Sequence, residues 1–196
     1  MGDIKRQSNK SERPSILWDA SRLAEEKIIK AEYGLKNKQE LWKFKSMLRK
    51  VRHQARSLIA KTGEEQAKKE ADLLIKKLAR LGLVEGGVRL EDVLSLDLRK
   101  LLDRRLQTQV FKAGLARTAK QARQFVLHGH VVVNNKKVSV PSFLVSKEDK
   151  VSFLGTSSLA KEDHPERNIK RKEIVKITEK IEKPEEKKEE VKNAKI

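Results

Sequence analysis

The chain has 196 residues, of which 46 are Lys or Arg and 28 are Asp or Glu, so its formal net charge is +18. With 37% hydrophobic residues it can form modest cores, but a large α/β barrel or doubly wound fold is not expected. The absence of cysteine excludes disulfides, thiol catalysis, iron–sulfur clusters and cysteine-based zinc sites.

The charge indicates a polyanionic partner. Nucleic acid is the first candidate, an anionic membrane surface the second, and a merely solvated surface the third. No run approaches the length of a membrane span, and Met1–Ser11 is polar and lacks the apolar core of a secretory signal. The sequence therefore predicts a cytoplasmic chain without a membrane partner.

The charge is unevenly distributed. Residues 1–62 carry 16 basic and 7 acidic groups, residues 63–102 carry 8 of each, and residues 103–154 carry 10 and 3. The last segment, 155–196, carries 12 and 10. Two basic blocks thus flank a neutral one, which predicts that the neutral block is scaffold and the basic blocks form contact surfaces.

The first half of the chain is predicted to be helical. Asp19 is an N-cap candidate for a helix with Ala24, Ile28, Ala31 and Leu35 at helical spacing, which Gly34 can end. A longer helix at Gln39–Ala60 has an apolar stripe formed by Leu41, Phe44, Leu48, Val51, Ala55 and Leu58. Thr62–Glu65 reads as a capping box that opens a third helix, whose inner face is Ala67, Ala71, Leu74, Leu78 and Leu81.

The second half predicts a change from helices to strands. Helices are expected at Leu98–Lys112 and Thr118–Leu127, followed by strands at Val131–Val133, Val138–Val140 and Val151–Phe153, with turn residues at 134–137. From Lys161 onward, densely mixed Lys and Glu predict a disordered tail, with a transient helix near Ile169–Ile181. The predicted fold class is mainly α with a small β-hairpin module (α+β).

The first candidate binding site lies on the second helix. Lys45, Arg49, Arg52 and Arg56 occupy positions i, i+4, i+7 and i+11, which places four cations on one stripe beside His53. Few acids on this helix can pair with them, Glu40 being a minor partner, so a phosphate backbone would supply the counter-charge. The alternative is a solvated helix face.

The second candidate site spans Leu115–Val140. Ala119, Ala122 and Val126 share the inner face of the short helix, whereas its outer face can bind phosphate and 2′-hydroxyl groups. Arg104 and Arg105 are expected to extend that surface from the preceding helix. The remaining candidates follow in chain order: Arg117, Lys120, Arg123 and Gln124 around the helix, His128 and His130 beside Gly129, and Lys136 and Lys137 at the hairpin tip.

Metal-binding and enzymatic interpretations find little support. His128 and His130 have no nearby carboxylate or thiolate to complete a metal site, so no metal or other cofactor is predicted. The sequence lacks a phosphate-binding Gly-rich loop, a G-x-S-x-G elbow and a Ser/His/Asp grouping, so no enzyme is predicted. The five Phe residues lie in apolar patterns, which favours recognition of structured RNA over base stacking.

The segment Leu102–Phe153 resembles the S-four RNA-binding domain. The resemblance rests on Asp103–Leu106, Gly114–Arg117, Gln121–Gln124, His128–His130, Val133-Asn134 and Pro141-Ser142. Arg52–Leu58 and Arg105–Val110 are similar to the archaeal and eukaryotic type of the small-subunit ribosomal protein S-four family. Asn135 and Glu148 stand where that family often has Gly, and Asn tolerates the left-handed conformation that a hairpin turn needs.

This resemblance implies a basic N-terminal helical domain with scaffold (1–100), an α-L RNA-binding domain (101–158) and a charged tail (159–196). It implies a ribosomal, non-enzymatic protein that binds the 5′-domain junction of small-subunit rRNA during assembly and influences translational accuracy. Neighbouring ribosomal proteins such as S-five, and mRNA near the channel through which it enters, are implied partners. The family's RNA-facing positions correspond to Arg104, Arg117, Lys120, Arg123, Gln124, His128, His130 and Asn134.

Two alternatives remain beside this interpretation. The first is an RNA-modifying enzyme that carries the module, which would need a separate catalytic domain that the rest of the chain does not offer. The second is a general RNA chaperone with little preference among RNAs. Replacing Arg52 or Arg123 with Ala is expected to weaken RNA binding without unfolding the protein.

Overall fold

A computed structural model describes residues 11–61, 63–85, 88–161 and 164. Its described helices are α1 (Ala20–Glu32), α2 (Lys38–Ala60), α3 (Glu65–Arg80), α4 (Leu90–Leu94), α5 (Leu98–Asp103), α6 (Leu106–Lys112) and α7 (Ala119–Leu127). Three short strands, β1 (Val131–Val133), β2 (Lys136–Lys137) and β3 (Val151–Phe153), form an antiparallel sheet in the order β2-β1-β3. This mainly α architecture with a small sheet confirms the predicted α+β class.

Helix α1 begins as predicted but turns a different face inward. The Asp19 side chain accepts a hydrogen bond from Ser21 N, which caps the helix. Three of the four expected apolar positions are solvent-exposed, since Ala24 and Ala31 are exposed and Ile28 is 61% exposed, whereas Leu35, beyond the end of the helix, is buried. The buried residue of the helix is instead Glu26. Helical spacing therefore predicted the helix correctly and its buried face wrongly.

The first core is built by α2 and α3 with the segments that follow. The predicted apolar positions of both helices are buried or half-buried and join a cluster that runs from Tyr33 to Leu102. Helix α3 begins at Glu65 after Glu64, which makes no side-chain capping bond, and Thr62 of the predicted capping box lies outside the described residues. The neutral block thus forms much of the scaffold on which α2 rests.

The predicted helix over 98–112 is wrong as a single element, because it is interrupted at Arg104 and Arg105. Arg105 has an extended backbone, with φ −67° and ψ 142°. The segment 141–145 supplies hydrogen bonds there: Leu106 N donates to Phe143 O at 2.7 Å, and Val145 N donates to Arg104 O at 2.9 Å. A distant strand-like segment therefore replaces the helical hydrogen bonds at the break.

The second core lies between α6, α7 and the sheet. It contains Leu106, Val110, Ala116, Ala122, Phe125, Val126, Val131, Val133, Val145 and Leu159. Asn134 and Asn135 adopt φ of 47° and 65°, so Asn135 accepts the left-handed turn as expected. The second hairpin strand is Lys136–Lys137, directly after the turn. The predicted position of this strand, Val138–Val140, is therefore wrong.

The C-terminal predictions fall largely beyond the described residues. Ser158–Ala160 forms a 3₁₀ turn, and Leu159 is buried in the second core. The predicted disordered tail and the transient helix at 169–181 lie outside the described part of the chain, apart from Ser158–Lys161 and His164. Gly86-Gly87, the predicted loop, also lies outside it.

Gly34 is required where the end of α1 meets α7. Its φ is +59°, and a Cβ atom there would lie 2.9 Å from Ala119 Cβ and 3.2 Å from the Ala119 carbonyl carbon. We expect Gly34→Ala to lower the free energy of unfolding by about 2–4 kcal/mol, since left-handed strain and overpacking add. Chemical denaturation measures this loss.

Gly114→Ala is the matched control. Gly114 has a similar φ of +72°, but a Cβ atom there would meet nothing within 4 Å. The free energy of unfolding should fall by only about 1 kcal/mol in this variant, because an alanine there is strained by the left-handed conformation alone. Equal losses in the two variants would contradict close packing at Gly34.

Candidate nucleic-acid interface

The α2 stripe, defined as Lys45, Arg49, Arg52 and Arg56, lines one open groove. Leu48, Asp97 and Leu98 complete the lining of this groove. The helical spacing of the four cations therefore does bring them to a common surface. A groove with four cationic side chains and one carboxylate is suited to an anionic chain such as a nucleic-acid backbone.

Several cations of the α2 stripe have protein partners from other elements. Lys45 Nζ lies 3.6 Å from the buried Glu26 carboxylate, and Arg49 forms an ion pair with Glu12. Arg52 Nη2 donates to Leu96 O at 2.6 Å. The stripe is thus more neutralised than the sequence of α2 alone indicated, because the acids lie on other segments.

Arg49, His53 and Arg56 are exposed, but Arg49 is paired with Glu12. This leaves Arg56 as the exposed arginine of the stripe without an acidic partner within the described ranges of the chain. Arg52, by contrast, is half-buried and ties α2 to the segment after α4. Arg52→Ala, which is predicted to weaken RNA binding without unfolding the protein, would also remove this bond inside the scaffold, so a loss of binding in that variant would have two causes. Arg56 is the better probe of binding.

The α7 face is the second exposed surface and comprises Arg117, Lys120, Gln124 and His128. All four residues are exposed. Thr118 caps the helix by accepting a hydrogen bond from Gln121 N at 3.1 Å, while Ala122, Phe125 and Val126 are buried beneath it. The predicted division of α7 into a buried apolar face and a polar outer face is confirmed for these residues.

Arg105 does not extend this surface. It is fully buried, its guanidinium carbon lies 5.1 Å from the centre of the Phe44 ring, and Nη2 donates to Glu40 Oε2 at 3.1 Å. Because the interruption between α5 and α6 turns its side chain inward, the expected exposed role of Arg105 is wrong.

Arg123 shares the same carboxylate. Its Nη2 donates to Glu40 Oε1 at 2.8 Å, and its Nη1 lies 3.1 Å from Glu40 Oε2. We call Glu40, Arg105 and Arg123 the Glu40 cluster. It joins α2 to α7 and to the break before α6. Arg123→Ala, which is predicted to weaken RNA binding without unfolding the protein, would therefore also remove contacts between helices.

The Glu40 carboxylate is held ionised. Burial alone would raise the pKa of Glu40, but the hydrogen bond and charge of Arg123, with those of Arg105, bring that pKa below its usual value. A lowered carboxyl pKa means that the stabilisation is present at neutral pH and is lost as the pH falls through the folded-state pKa. The cluster is therefore intact at neutral pH.

His130 and Asn134 are held by protein groups. His130 Nδ1 lies 2.8 Å from Ser157 Oγ. Asn134 Nδ2 donates to Asp149 Oδ1 at 2.6 Å, and its Oδ1 accepts from Lys150 N at 3.0 Å. Both side chains hold the turns of the module together, which is a structural role beside the RNA-facing role that the resemblance implies.

The turn that contains Glu148 is well formed. Ser146 N donates to Asp149 Oδ2 at 2.8 Å, and this bond is the main reason that the pKa of Asp149 is lowered. Lys136 and Lys137 follow the hairpin turn and are exposed. The Lys137 side chain passes over Gly129, where a Cβ atom would overlap Lys137 Cε.

Arg104 is only half-buried, and its side chain lies against the turn after α3. A Cβ atom at Gly82 would lie 3.4 Å from the Arg104 guanidinium carbon. This position connects the module to the first half of the chain. A further link runs from Lys147 N to Arg80 O, at 2.9 Å.

Metal binding receives no support from the geometry. In the described part of the chain, no group of three or more His, Asp or Glu side chains is arranged to hold a metal ion. The His128 and His130 rings lie 6.3 Å apart and are tilted relative to each other. Among the described helices, none is long and apolar enough to cross a membrane.

Two features of this region do not follow from the sequence pattern. Glu40 was treated as a minor partner of the α2 stripe, whereas it binds Arg105 and Arg123. Phe143 is 40% exposed, which corrects the expectation that all five Phe residues lie in the core, and Trp18 is 87% exposed. A lone acid among many cations is the one sequence signal that could have singled out Glu40.

Comparison with known proteins adds a family relationship. Residues 104–151 match the S4 domain, which covers α6, α7 and most of the sheet. A Methanococcus aeolicus protein named small ribosomal subunit protein uS4 is 48% identical over 170 residues, which span 85% of this chain and 96% of that relative. The protein of the same name from Methanococcoides burtonii is 46% identical over 160 residues, spanning 79% and 87%.

Proposed function

Because the chain belongs to the uS4 family of small ribosomal subunit proteins, we propose that the α2 stripe and the α7 face together bind the 5′-domain junction of small-subunit rRNA. The family and its RNA-binding domain make the chain a structural protein of the small subunit that binds rRNA. Its proposed role is non-enzymatic, and its place is the ribosome.

One observation carries the site assignment. Two separate cationic surfaces, one lining a groove on α2 and one on the outer side of α7, are presented by a single scaffold. A folded RNA junction offers phosphates on more than one helix, which suits a protein with two such surfaces. The exposed members of both surfaces supply phosphate and 2′-hydroxyl contacts.

The finer roles belong to the same proposal. An assembly protein that grips a junction holds several rRNA helices in their relative positions, which is the route by which it would influence translational accuracy. Contacts with neighbouring ribosomal proteins such as S-five, and with mRNA near the channel through which it enters, are proposed on the family resemblance.

The test compares two RNAs. A transcript of the 5′-domain junction and an unrelated structured RNA of similar length are titrated with the protein at moderate salt. Preference for the junction supports the proposal. Equal affinities would contradict it and favour a general RNA-binding or chaperone function, which the net charge of +18 alone would produce.

Single substitutions locate the contacts. Arg56→Ala and Lys120→Ala each remove an exposed cation, one from each surface. We expect each to weaken junction binding and to reduce the salt slope by about 1, because one phosphate contact is lost. Filter binding or anisotropy across a salt series measures both quantities.

Lys69→Ala is the control, since Lys69 is an exposed cation of α3 in the neutral block. It changes the net charge equally but lies outside both proposed surfaces. An effect of Lys69→Ala as large as those of the other two variants would contradict the site assignment.

A further inference from the structure

The Glu40 cluster joins the helices that bear the two surfaces. Glu40 lies on α2, five positions before Lys45 of the α2 stripe. Arg123 lies on α7, between Lys120 and Gln124 of the α7 face. The Glu40 carboxylate therefore links α2, which carries it, to α7, although Glu40 and Arg123 lie 83 positions apart in the sequence.

We infer that Glu40 is a positioning residue for RNA binding, which fixes the α7 face relative to the α2 stripe. The inference rests on the proposed function, since it concerns how the two surfaces act together. It assigns a favourable role in RNA binding to an acidic side chain, which simple electrostatics would count as unfavourable.

The burial of the cluster explains why it fixes geometry. Arg105 is fully buried, with Phe44 against its guanidinium group, and its Nε and Nη1 atoms have no hydrogen-bond partner among the described residues. A buried cation held mainly by one carboxylate tolerates little displacement, because separation would leave a charge unpaired in the interior. Exposed ion pairs impose no such restriction.

Neighbouring polar contacts made by Gln107 also hold α7 in place. Gln107 Nε2 lies 2.8 Å from Ala119 O and 3.1 Å from Gly34 O, which ties the start of α7 to the end of α1. Arg123 Nη1 lies 3.5 Å from Gln107 Oε1. The start of α7 is thus held by Gln107 and its middle by Glu40, and the latter bond is the one that reaches α2.

The relative position of two surfaces matters for affinity. When two contact sites on one protein bind one RNA, the second contact forms at a high effective concentration only if the geometry is already correct. Loss of the contact between Glu40 and Arg123 would leave each surface intact but lower the affinity for an RNA that binds both surfaces. The affinity for an RNA that lacks the matching arrangement of phosphates should not depend on the contact between Glu40 and Arg123.

The first measurement needs no RNA. Because the chain has no cysteine, Ser57→Cys on α2 and Leu127→Cys on α7 place one spin-label pair on exposed positions of the two helices. We expect a narrow label–label distance distribution with Glu40 present and a broader one in Glu40→Gln. An unchanged distribution in a folded Glu40→Gln variant would overturn the inference.

The second measurement compares affinities. Glu40→Gln should bind the junction RNA about tenfold more weakly, because the two surfaces no longer act as one. The same variant should bind the unrelated RNA as well as or better than the wild type, because a negative charge is removed. The opposite signs distinguish positioning from a general loss of folded protein.

Two further variants serve as controls. Glu25→Gln removes an exposed acid of α1 and changes the charge equally, so it should leave the RNA preference and the distance distribution unchanged. Glu40→Asp keeps the charge, shortens the reach by one methylene and is the variant to use if Glu40→Gln fails to fold. It should also lose junction affinity, without gaining affinity for the unrelated RNA.

The outcomes separate the two proposals. Wild-type protein that binds both RNAs equally would overturn the proposed function and, with it, the inference. A wild-type preference that both Glu40 variants retain would overturn the inference alone. Lower stability of the Glu40 variants with unchanged distances and preference would make Glu40 a purely structural residue and would also overturn it.

Discussion

Raising the salt concentration from about 50 mM to about 200 mM is expected to weaken binding of the junction RNA by roughly 10⁴-fold. The estimate assumes about 8 phosphate contacts, for which log K falls by roughly 7 per decade of salt. The physical cause is the release of condensed counterions when lysine and arginine side chains neutralise phosphates. Anisotropy titrations at four or more salt concentrations give the slope directly.

The magnitude of this slope tests the extent of the interface. The α2 stripe and α7 face contain six Lys or Arg side chains, and Lys136 and Lys137 of the hairpin add two. A slope near that of two or three contacts would mean that only one surface binds. The double variant Arg56→Ala/Lys120→Ala should have a slope lower by about 2.

Ala122→Arg is expected to unfold the RNA-binding module. Ala122 is fully buried and belongs to the core formed by α6, α7 and the sheet. An arginine there must overpack that core and bury a charge with no partner provided for it, so the loss should exceed about 4 kcal/mol. Circular dichroism during chemical denaturation measures the loss of stability.

Ala24→Arg is the matched control for this substitution. Ala24 is also a helical alanine, but it lies on the exposed face of α1. The same change of side chain should alter stability by at most about 0.5 kcal/mol. A large loss at Ala24, or a small loss at Ala122, would contradict the burial pattern of the two helices.

The long amphipathic helices could be predicted because their pattern is local. The apolar spacing of α2 and of α3 is sustained over several turns, and in both helices the predicted inward face is buried or half-buried. The same reasoning placed Lys120 and Gln124 on the exterior of α7. Helical spacing did not distinguish these residues from Arg52 and Arg123, which are half-buried because they bind groups on other elements.

The interruption at Arg104-Arg105 could not be predicted in this way. It depends on hydrogen bonds from the segment 141–145, which no local pattern of residues 98–112 reveals. The burial of Arg105 follows from that interruption, and its partner Glu40 lies 65 positions away. An acid and a base so far apart in sequence are matched only by the tertiary fold.

The face of α1 illustrates a different limit. Helical spacing of Ala24, Ile28 and Ala31 indicated an inner apolar stripe, but Glu26 is buried instead. Arg22 Nη1 and Trp42 Nε1 both donate to Glu26 Oε1, at 2.8 and 3.1 Å. Burial alone would raise the pKa of Glu26, but the hydrogen bonds of Trp42 and Arg22, with the charges of Arg22 and Lys45, bring that pKa below its usual value. A helix face that packs through hydrogen bonds and ion pairs shows no hydrophobic periodicity, so helical spacing does not predict which face is buried.

The separation of the two cores has a consequence for the newly made chain. The first core is complete once Leu102 has been synthesised, apart from the half-buried Leu144, whereas β1 pairs with β3 only after Phe153 has appeared. Since chains emerge from the N-terminus and domains tend to fold as units, the α2 groove is expected to form before the α7 face. A nascent chain would therefore meet its RNA first through α2, with Glu40 already in place before Arg123 is made.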